Sequence, residues 1–241
     1  MPITQILLTQ NSAGGGGGGG GTPQPGILAT SLEFNTAIDR VGYAADADWV
    51  LGTSDFTVEW FQWQTDNSGP QRSFSVGRWN TSPFSLELSV GGGLLWRNAS
   101  YISYINSYGG ATLLNQWNHY AISRNYTLGL IAMWINGERV ITDTDSLDYG
   151  GGGLPLTIGH EDINQNGEFK GYITNFHWVK GASKYDVTSA VITPPTGPIT
   201  ALPESKLLLN VSSQIGAFTD SSPAGKTFNV VNVGWSPYGP F

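Results

Sequence analysis

Residues 117–140 have the sequence WNHYAISRNYTLGLIAMWINGERV, which carries the strongest structural signal in the chain. Aromatic and branched apolar residues fill 117–123 and 130–135, a composition typical of buried β-strands. The pair Asn136-Gly137 follows the second run and is a preferred sequence for a tight hairpin turn. The pattern therefore predicts antiparallel strands joined by tight turns.

Shorter runs on the amino-terminal side of this hairpin predict further strands. Residues 31–35 have the alternating sequence SLEFN, and residues 51–60 have the sequence LGTSDFTVEW. Successive side chains of a strand point to opposite faces of the sheet. In the second run, this alternation places Val58 and Trp60 on one face and Glu59 on the other.

Several of these motifs carry a family resemblance. W-N-H-Y-A-I-S-R with M-W-I-N-G is similar to the hairpin W-H-H-V-A-V-T-R with L-Y-V-N-G of laminin-G-like domains, in the concanavalin A-like lectin superfamily. LGTSDFTVEW resembles that family's L-G-T-G-D-F-T-I-E-F, and residues 156–159 and 167–185 resemble its closing motifs. The resemblance covers about residues 31–241. It implies an all-β fold, a two-sheet antiparallel jelly-roll β-sandwich.

An extended amino-terminal arm, residues 1–30, precedes the expected sandwich domain of residues 31–241. It contains a short alternating apolar segment and then eight consecutive glycines, which favour a flexible linker. One interpretation is a disordered tail, and the other is an arm that adds a strand to a neighbouring protein. We favour the docking arm, whose expected contact residues are Ile3, Ile6, Leu7, Leu8, Gly14 and Gly21.

Composition excludes several classes of function. A net charge of −7 and the lack of any basic run argue against a nucleic-acid partner, because phosphate binding requires clustered Lys and Arg. The chain has no cysteine, so disulfides and thiolate chemistry are excluded. Residues 1–10 lack the features of a signal peptide, and no apolar stretch has the length of a membrane span. We therefore expect synthesis in a host cytoplasm and no membrane insertion.

Catalytic patterns are also missing from the sequence. The glucanase pattern E-x-D-x-x-E does not occur, and Glu59 and Glu87 are single carboxylates on separate predicted strands, whereas glycoside hydrolysis requires a pair. His119, His160 and His177 belong to no metal or nucleophile motif and are expected to be structural. The sequence predicts a protein that is not an enzyme.

Calcium is the one cofactor that the resemblance allows. Residues 159–171, GHEDINQNGEFKG, are similar to the pentraxin loop G-Q-E-Q-D-S-F-G-G-N-F-E-G. The resemblance implies ligand roles for Glu161 and Asp162, while the position of a third ligand is occupied by Ile163. The alternative is a solvated acidic turn without metal.

Aromatic residues next to amides predict a carbohydrate site, because sugar rings stack on aromatic faces while amides bond their hydroxyls. Trp79, Asn80, Tyr104 and Tyr108 are the candidates. The alternative is that these aromatic side chains pack in the core, which is where most tryptophans lie.

The last segment directs the functional prediction. Residues 218–241 resemble the closing segment of laminin-G-like domains in structural proteins of bacteriophages and large algal viruses. That resemblance implies a virion structural protein, a capsid-decoration or tail-fibre module at the virion surface. We expect it to be a homotrimer anchored to a neighbouring capsid or tail protein by its arm. The alternative is a lectin-like adhesin that binds a host-surface polysaccharide.

Overall fold

The computed structural model describes residues 30–77, 84–88, 94–98, 103–106, 113–150, 153–161, 167–211 and 218–241. Within these ranges the chain forms strands and a single 3-10 turn, Ala47–Trp49. The strands are β1 (Ser31–Phe34), β2 (Arg40–Tyr43), β3 (Phe56–Gln64), β4 (Gln71–Val76), β5 (Phe84–Leu88), β6 (Leu94–Asn98), β7 (Ser103–Asn106), β8 (Trp117–Asn125), β9 (Leu130–Ile135), β10 (Glu138–Thr144), β11 (Leu156–Ile158), β12 (Gly171–Lys180), β13 (Ser205–Val211), β14 (Phe218–Asp220), β15 (Asn229–Val231) and β16 (Gly234–Ser236).

These strands form two antiparallel sheets, as the jelly-roll prediction requires. In the described part of the chain, the larger sheet has the order β10-β9-β8-β3-β12-β1-β16, and β13 pairs with β12 and with β14. The smaller sheet has the order β15-β2-β11-β4-β5-β6-β7. The predicted all-β, two-sheet sandwich is confirmed.

The central hairpin forms as predicted. β9 covers the predicted residues, and β8 extends the predicted strand by two residues to Asn125. After β9, Asn136 and Gly137 both have positive φ angles, 50° and 89°. Two successive positive φ angles match the right-handed twist of the paired strands, which explains the Asn-Gly preference at this turn.

Aromatic side chains from both sheets fill the core between them. The Trp60 ring lies in the larger sheet, stacked on Tyr120 with centroids 5.3 Å apart, and it meets the edge of Phe74 from the smaller sheet at 5.4 Å. All three side chains are fully buried. Such ring pairs contribute roughly 0.5–1.5 kcal/mol each beyond the area that they bury.

A β-bulge changes which residues of β12 face the core. Ile173 lies in the core before the bulge, and Phe176 and Trp178 lie in the core after it, so the alternation shifts by one residue. Asn175 occupies the bulge with a φ of 53°, and its side-chain oxygen accepts a hydrogen bond from the Ile199 amide at 2.8 Å. The shift turns His177 to the outer face, the face of the larger sheet that points away from the smaller sheet.

The predicted arm lies almost entirely outside the described residues, so the boundary between residues 30 and 31 stays a prediction. So do the contacts proposed for Ile3, Ile6, Leu7, Leu8, Gly14 and Gly21, all of which lie outside the described ranges. Over the residues that are described, no helix combines the length and hydropathy that would carry it across a membrane.

The pairing of β3 with β12 requires a glycine at position 171. Gly171 has a φ of 136°, and a Cβ atom there would collide with the Trp63 carbonyl oxygen. We expect Gly171→Ala to lower the free energy of unfolding by at least about 3 kcal/mol, from backbone strain and steric overlap. Chemical denaturation measures this change. Gly197→Ala is the control, because nothing lies within 4 Å of its added Cβ atom. Equal stability of the two variants would contradict the close approach.

Candidate functional site

A polar pocket lies at the rim of the sandwich, where β3 ends and β12 begins. Gln64 pairs with Gly171 at this point, and the Thr65 amide donates to the Lys170 carbonyl at 3.1 Å, so the two chain segments continue side by side. We call the space beside them the rim pocket, which has a volume of about 270 Å³. Its lining residues are Asp66, Ser68, Gly69, Pro70, Gln71, Gly167, Glu168 and Lys170.

Two buried amide side chains fix the backbone of the rim pocket. Gln64 and Gln71 each donate from Nε2 to the Asp66 carbonyl oxygen, both at 2.7 Å. The Gln71 side-chain oxygen accepts from the Lys170 amide at 3.1 Å. Because Gln71 belongs to β4 of the smaller sheet, these bonds join both sheets beneath the pocket, and the lining is held in place before any ligand binds.

The pocket presents charged groups of both signs to solvent. Lys170 Nζ lies 3.0 Å from Asp66 Oδ2, and the two side chains remain 43% and 29% exposed. The Ser68 amide and hydroxyl, together with Lys170, lower the pKa of Asp66 to about 2. Glu168 adds a second carboxylate, which accepts from the Gly167 amide at 3.2 Å. The pocket therefore offers strong hydrogen-bond acceptors beside an ammonium donor.

Glu161, a predicted calcium ligand, is buried and paired with a cation. Its carboxylate lies 2.5 Å from Arg72 Nη1, and both side chains are almost fully buried. The guanidinium neutralises this carboxylate and competes with a metal ion for it. Asp162 lies outside the described residues. Within the described ranges, no group of three or more His, Asp or Glu side chains is arranged to hold a metal ion. Calcium binding by Glu161 and Asp162 stays a prediction.

The predicted sugar-binding residues belong to segments of which little is described. Trp79, Asn80 and Tyr108 lie outside the described residues. Tyr104 belongs to β7, where its backbone pairs with Trp96, and its side chain is not among those described. Their role in sugar binding stays a prediction.

A second polar cluster surrounds Glu59 on the outer face. Its carboxylate accepts hydrogen bonds from His177 Nδ1 at 2.8 Å, His119 Nε2 at 3.2 Å, Lys184 Nζ at 2.5 Å and the Tyr185 hydroxyl at 2.6 Å. Burial raises the pKa of Glu59, but the histidine hydrogen bonds and the Lys184 charge outweigh burial and hold that pKa well below its ordinary value. Glu59 is therefore an ionised carboxylate inside the protein.

The Glu59 cluster fastens residues 181–204, which we call the covering segment, to the outer face. Lys184 and Tyr185 bond Glu59 near the start of this segment. Near its end, the Leu202 amide donates to Ser205 Oγ at 2.8 Å, and Ser205 Oγ lies 2.6 Å from His177 Nε2. Ser205, His177 and Glu59 are all fully buried, so the chain of hydrogen bonds has no access to a substrate. Its geometry supports a structural role.

A pocket of about 410 Å³ lies in the covering segment, between Lys184, Tyr185 and residues 193–200. The lining from 193 to 200 consists of Thr, Pro, Gly and Ile residues, and the Lys184 ammonium already bonds Glu59. The rim pocket presents more groups that can bond a polar ligand, so we take it as the candidate functional site.

The family comparison agrees with this architecture. Residues 39–184 match the family model described as the concanavalin A-like lectin/glucanases superfamily, and the chain belongs to that family. No curated protein matches the sequence.

Two solved structures share the fold at low sequence identity. One is a candidate carbohydrate-binding protein from Bacteroides ovatus, with 13% identity and a TM-score of 0.61, covering 87% of this chain and 60% of that one. The other is a heptameric SAP-like pentraxin from Limulus polyphemus, with 15% identity and a TM-score of 0.55, covering 88% of this chain and 96% of that one. The present chain thus spans only 60% of the length of the first.

The sequence prediction missed the rim pocket, although part of its signal was local. Residues 66–70, DNSGP, form a cluster of turn residues directly after a predicted strand, and such loops often carry binding groups. Their proximity to Lys170 could not be predicted locally, because it arises from strand pairing across more than a hundred residues.

Removal of the Glu59 charge tests the role of its cluster. Glu59→Gln leaves the Lys184 ammonium without its buried partner, so we expect the free energy of unfolding at neutral pH to fall by about 3 kcal/mol. Because folding lowers the pKa of Glu59, its stabilisation is present above the ordinary value of 4.5 and is lost as the pH falls through the folded value.

Urea denaturation across the acid range measures both effects. The difference between wild type and Glu59→Gln should shrink as the pH falls. Glu138→Gln is the matched control, because that carboxylate is exposed on the edge strand β10. A difference that is small, or that does not change with pH, would show that Glu59 is not the ionised centre of the cluster.

Proposed function

We propose that the chain is a carbohydrate-binding domain that holds a sugar in the rim pocket. The observation that carries the proposal is the pocket lining, in which Asp66, Glu168 and Lys170 project beside a backbone that Gln64 and Gln71 hold rigid. Sugar hydroxyls both donate and accept hydrogen bonds, so they suit carboxylates and an ammonium placed side by side. A site that is rigid before binding loses little entropy when it binds a ligand.

The size and charge of the pocket indicate the kind of sugar. Its volume of about 270 Å³ lies just below the range of roughly 300–1,000 Å³ for drug-sized ligands, which suits a single sugar ring. Asp66 and Glu168 outnumber Lys170, and the whole chain has a net charge of −7. Repulsion from these charges disfavours acidic sugars. We infer a neutral sugar or an amino sugar.

Fold similarity supports this proposal. The Bacteroides ovatus protein of similar fold is itself described as a candidate carbohydrate-binding protein. Lectins and glucanases share the superfamily to which this chain belongs. The proposal concerns binding and includes no reaction.

Substitutions in the rim pocket test the proposal. We expect Asp66→Asn and Lys170→Met to weaken binding of a neutral oligosaccharide by about tenfold or more, because a hydrogen bond to a charged group contributes roughly 1.5–3 kcal/mol. Isothermal titration calorimetry measures the affinity after a glycan-array screen selects the ligand. Asp143→Asn is the matched control, because Asp143 is exposed on β10 at the far edge of the larger sheet.

The same titrations distinguish the alternatives. Retention of full affinity by folded Asp66→Asn and Lys170→Met would place the sugar elsewhere. No binding to any glycan on the array would remove the proposal. Repeating the titration with a chelator tests the predicted calcium, since loss of affinity without calcium would assign it a role and unchanged affinity would not.

The virion prediction concerns other features of the chain. It depends on the carboxyl-terminal resemblance and on an arm that lies outside the described residues, so attachment to a capsid or tail protein, trimer formation and a virion-surface location stay predictions. A sugar-binding domain displayed on a particle would satisfy both interpretations.

A further inference from the structure

Four aromatic side chains form a cluster on the outer face next to the rim pocket. Trp117 of β8 pairs with Trp63 of β3, and Trp63 in turn pairs with Tyr172 of β12. Tyr238 packs against Tyr172 from the carboxyl-terminal segment. Because residues paired directly across strands point to the same face, this register brings the rings together. We call Trp63, Trp117, Tyr172 and Tyr238 the outer aromatic cluster.

The cluster is held rigid from below and remains accessible from above. Trp63 is only 7% exposed and supports Trp117, with ring centroids 6.0 Å apart. Trp117, Tyr172 and Tyr238 are partly exposed. The Trp117 and Tyr172 centroids are 6.4 Å apart, and the Tyr172 and Tyr238 centroids are 5.9 Å apart. The exposed rings therefore form a continuous row.

The row of rings is not flat. The planes of Trp117 and Tyr172 meet at 49°, and those of Tyr172 and Tyr238 meet at 86°. A flat polysaccharide crystal surface needs coplanar rings to stack on, so this arrangement disfavours such a ligand. It suits a single soluble chain, in which each sugar can turn relative to the next.

Polar groups border the apolar rings. The Tyr172 hydroxyl donates to Glu33 Oε1 at 3.3 Å, so a carboxylate lies at one end of the row. At the other end of the same strand pair, Lys170 precedes Tyr172 by two residues and Asp66 follows Trp63 by three. Backbone positions three residues apart are separated by at most about 11 Å. The rim pocket and the cluster are therefore near enough to contact neighbouring sugars of one chain.

We propose that the outer aromatic cluster is a second sugar subsite that continues from the rim pocket, so that the ligand is a short, soluble, neutral oligosaccharide. This inference rests on the proposed function. A neutral sugar has an apolar C–H face for the rings and a hydroxyl edge for Glu33, which matches the arrangement of apolar and charged groups. An acidic chain would place its carboxylates near Glu33, Asp66 and Glu168.

Titration with sugars of two lengths tests the inference. The probes are the monosaccharides glucose and N-acetylglucosamine and their neutral trisaccharides cellotriose, maltotriose and chitotriose, with trigalacturonic acid as the acidic comparison. We expect wild-type protein to bind one of the neutral trisaccharides at least about tenfold more tightly than its monosaccharide, and more tightly than trigalacturonic acid.

Loss of a ring should remove only the gain from chain length. We expect Trp117→Ala, and independently Tyr238→Ala, to bind the trisaccharide about tenfold more weakly while monosaccharide affinity is unchanged. Tyr126→Ala is the control, because Tyr126 is an exposed aromatic residue in the β8–β9 turn. Thermal melts confirm that each variant is folded, and Tyr238→Ala keeps the test valid if Trp117→Ala is not.

Each other outcome has a definite meaning. Trisaccharide binding that the rim-pocket variants weaken but both ring variants leave intact would overturn the inference and keep the proposed function. Wild-type protein that binds none of the probes would contradict both. A change in oligomeric state on sedimentation, with sugar affinity unchanged, would assign the cluster to a protein contact and overturn the inference.

Discussion

The antiparallel pairing of β3 with β12 positions every group in the proposed binding site. These strands lie at the centre of the larger sheet, and their register places Trp63 opposite Tyr172 and Gln64 opposite Gly171. Where the ladder ends, the two chains separate into the loops that line the rim pocket. A shift of the register by one residue would reverse the face of each side chain and remove the aromatic cluster. The missing side chain of Gly171 lets the Trp63 carbonyl approach and so favours this register.

An ionised group inside the protein stabilises the outer face of the same strand pair. Burying the Glu59 carboxylate is costly, but donors from β8, β12 and the covering segment surround it and offset that cost. Because the donors come from three parts of the chain, the charge specifies how they pack together. The covering segment shields this half of the outer face, while Trp117 and Tyr172 in the other half remain partly exposed. The position of one buried charge thus separates a structural region from an accessible one.

Most of the fold could be predicted from the sequence because its signals are local. Alternation identified β3, and the Asn136-Gly137 turn with its flanking apolar runs identified the central hairpin. The bulge at Asn175 could not be predicted, because it depends on a hydrogen bond to Ile199 in the covering segment. Without it, simple alternation would have assigned His177 to the wrong face.

The candidate site was harder to predict than the fold. The family resemblance drew attention to Glu161, whose carboxylate is paired with Arg72 beneath the surface. The exposed charges at the rim belong to Asp66 and Lys170, which lie far apart in the sequence and meet only through strand pairing. A binding site that forms between distant segments leaves no periodic pattern in either of them.

Amide chemical-shift mapping by nuclear magnetic resonance tests the central claim most directly, because it locates a bound sugar without any substitution. During titration of isotope-labelled protein with cellotriose, maltotriose or chitotriose, the account predicts shifts concentrated at residues 66–71 and 167–172, extending to Trp117 and Tyr238. Saturable shifts confined to residues 193–200, or no saturable shifts with any of the three sugars, would contradict it.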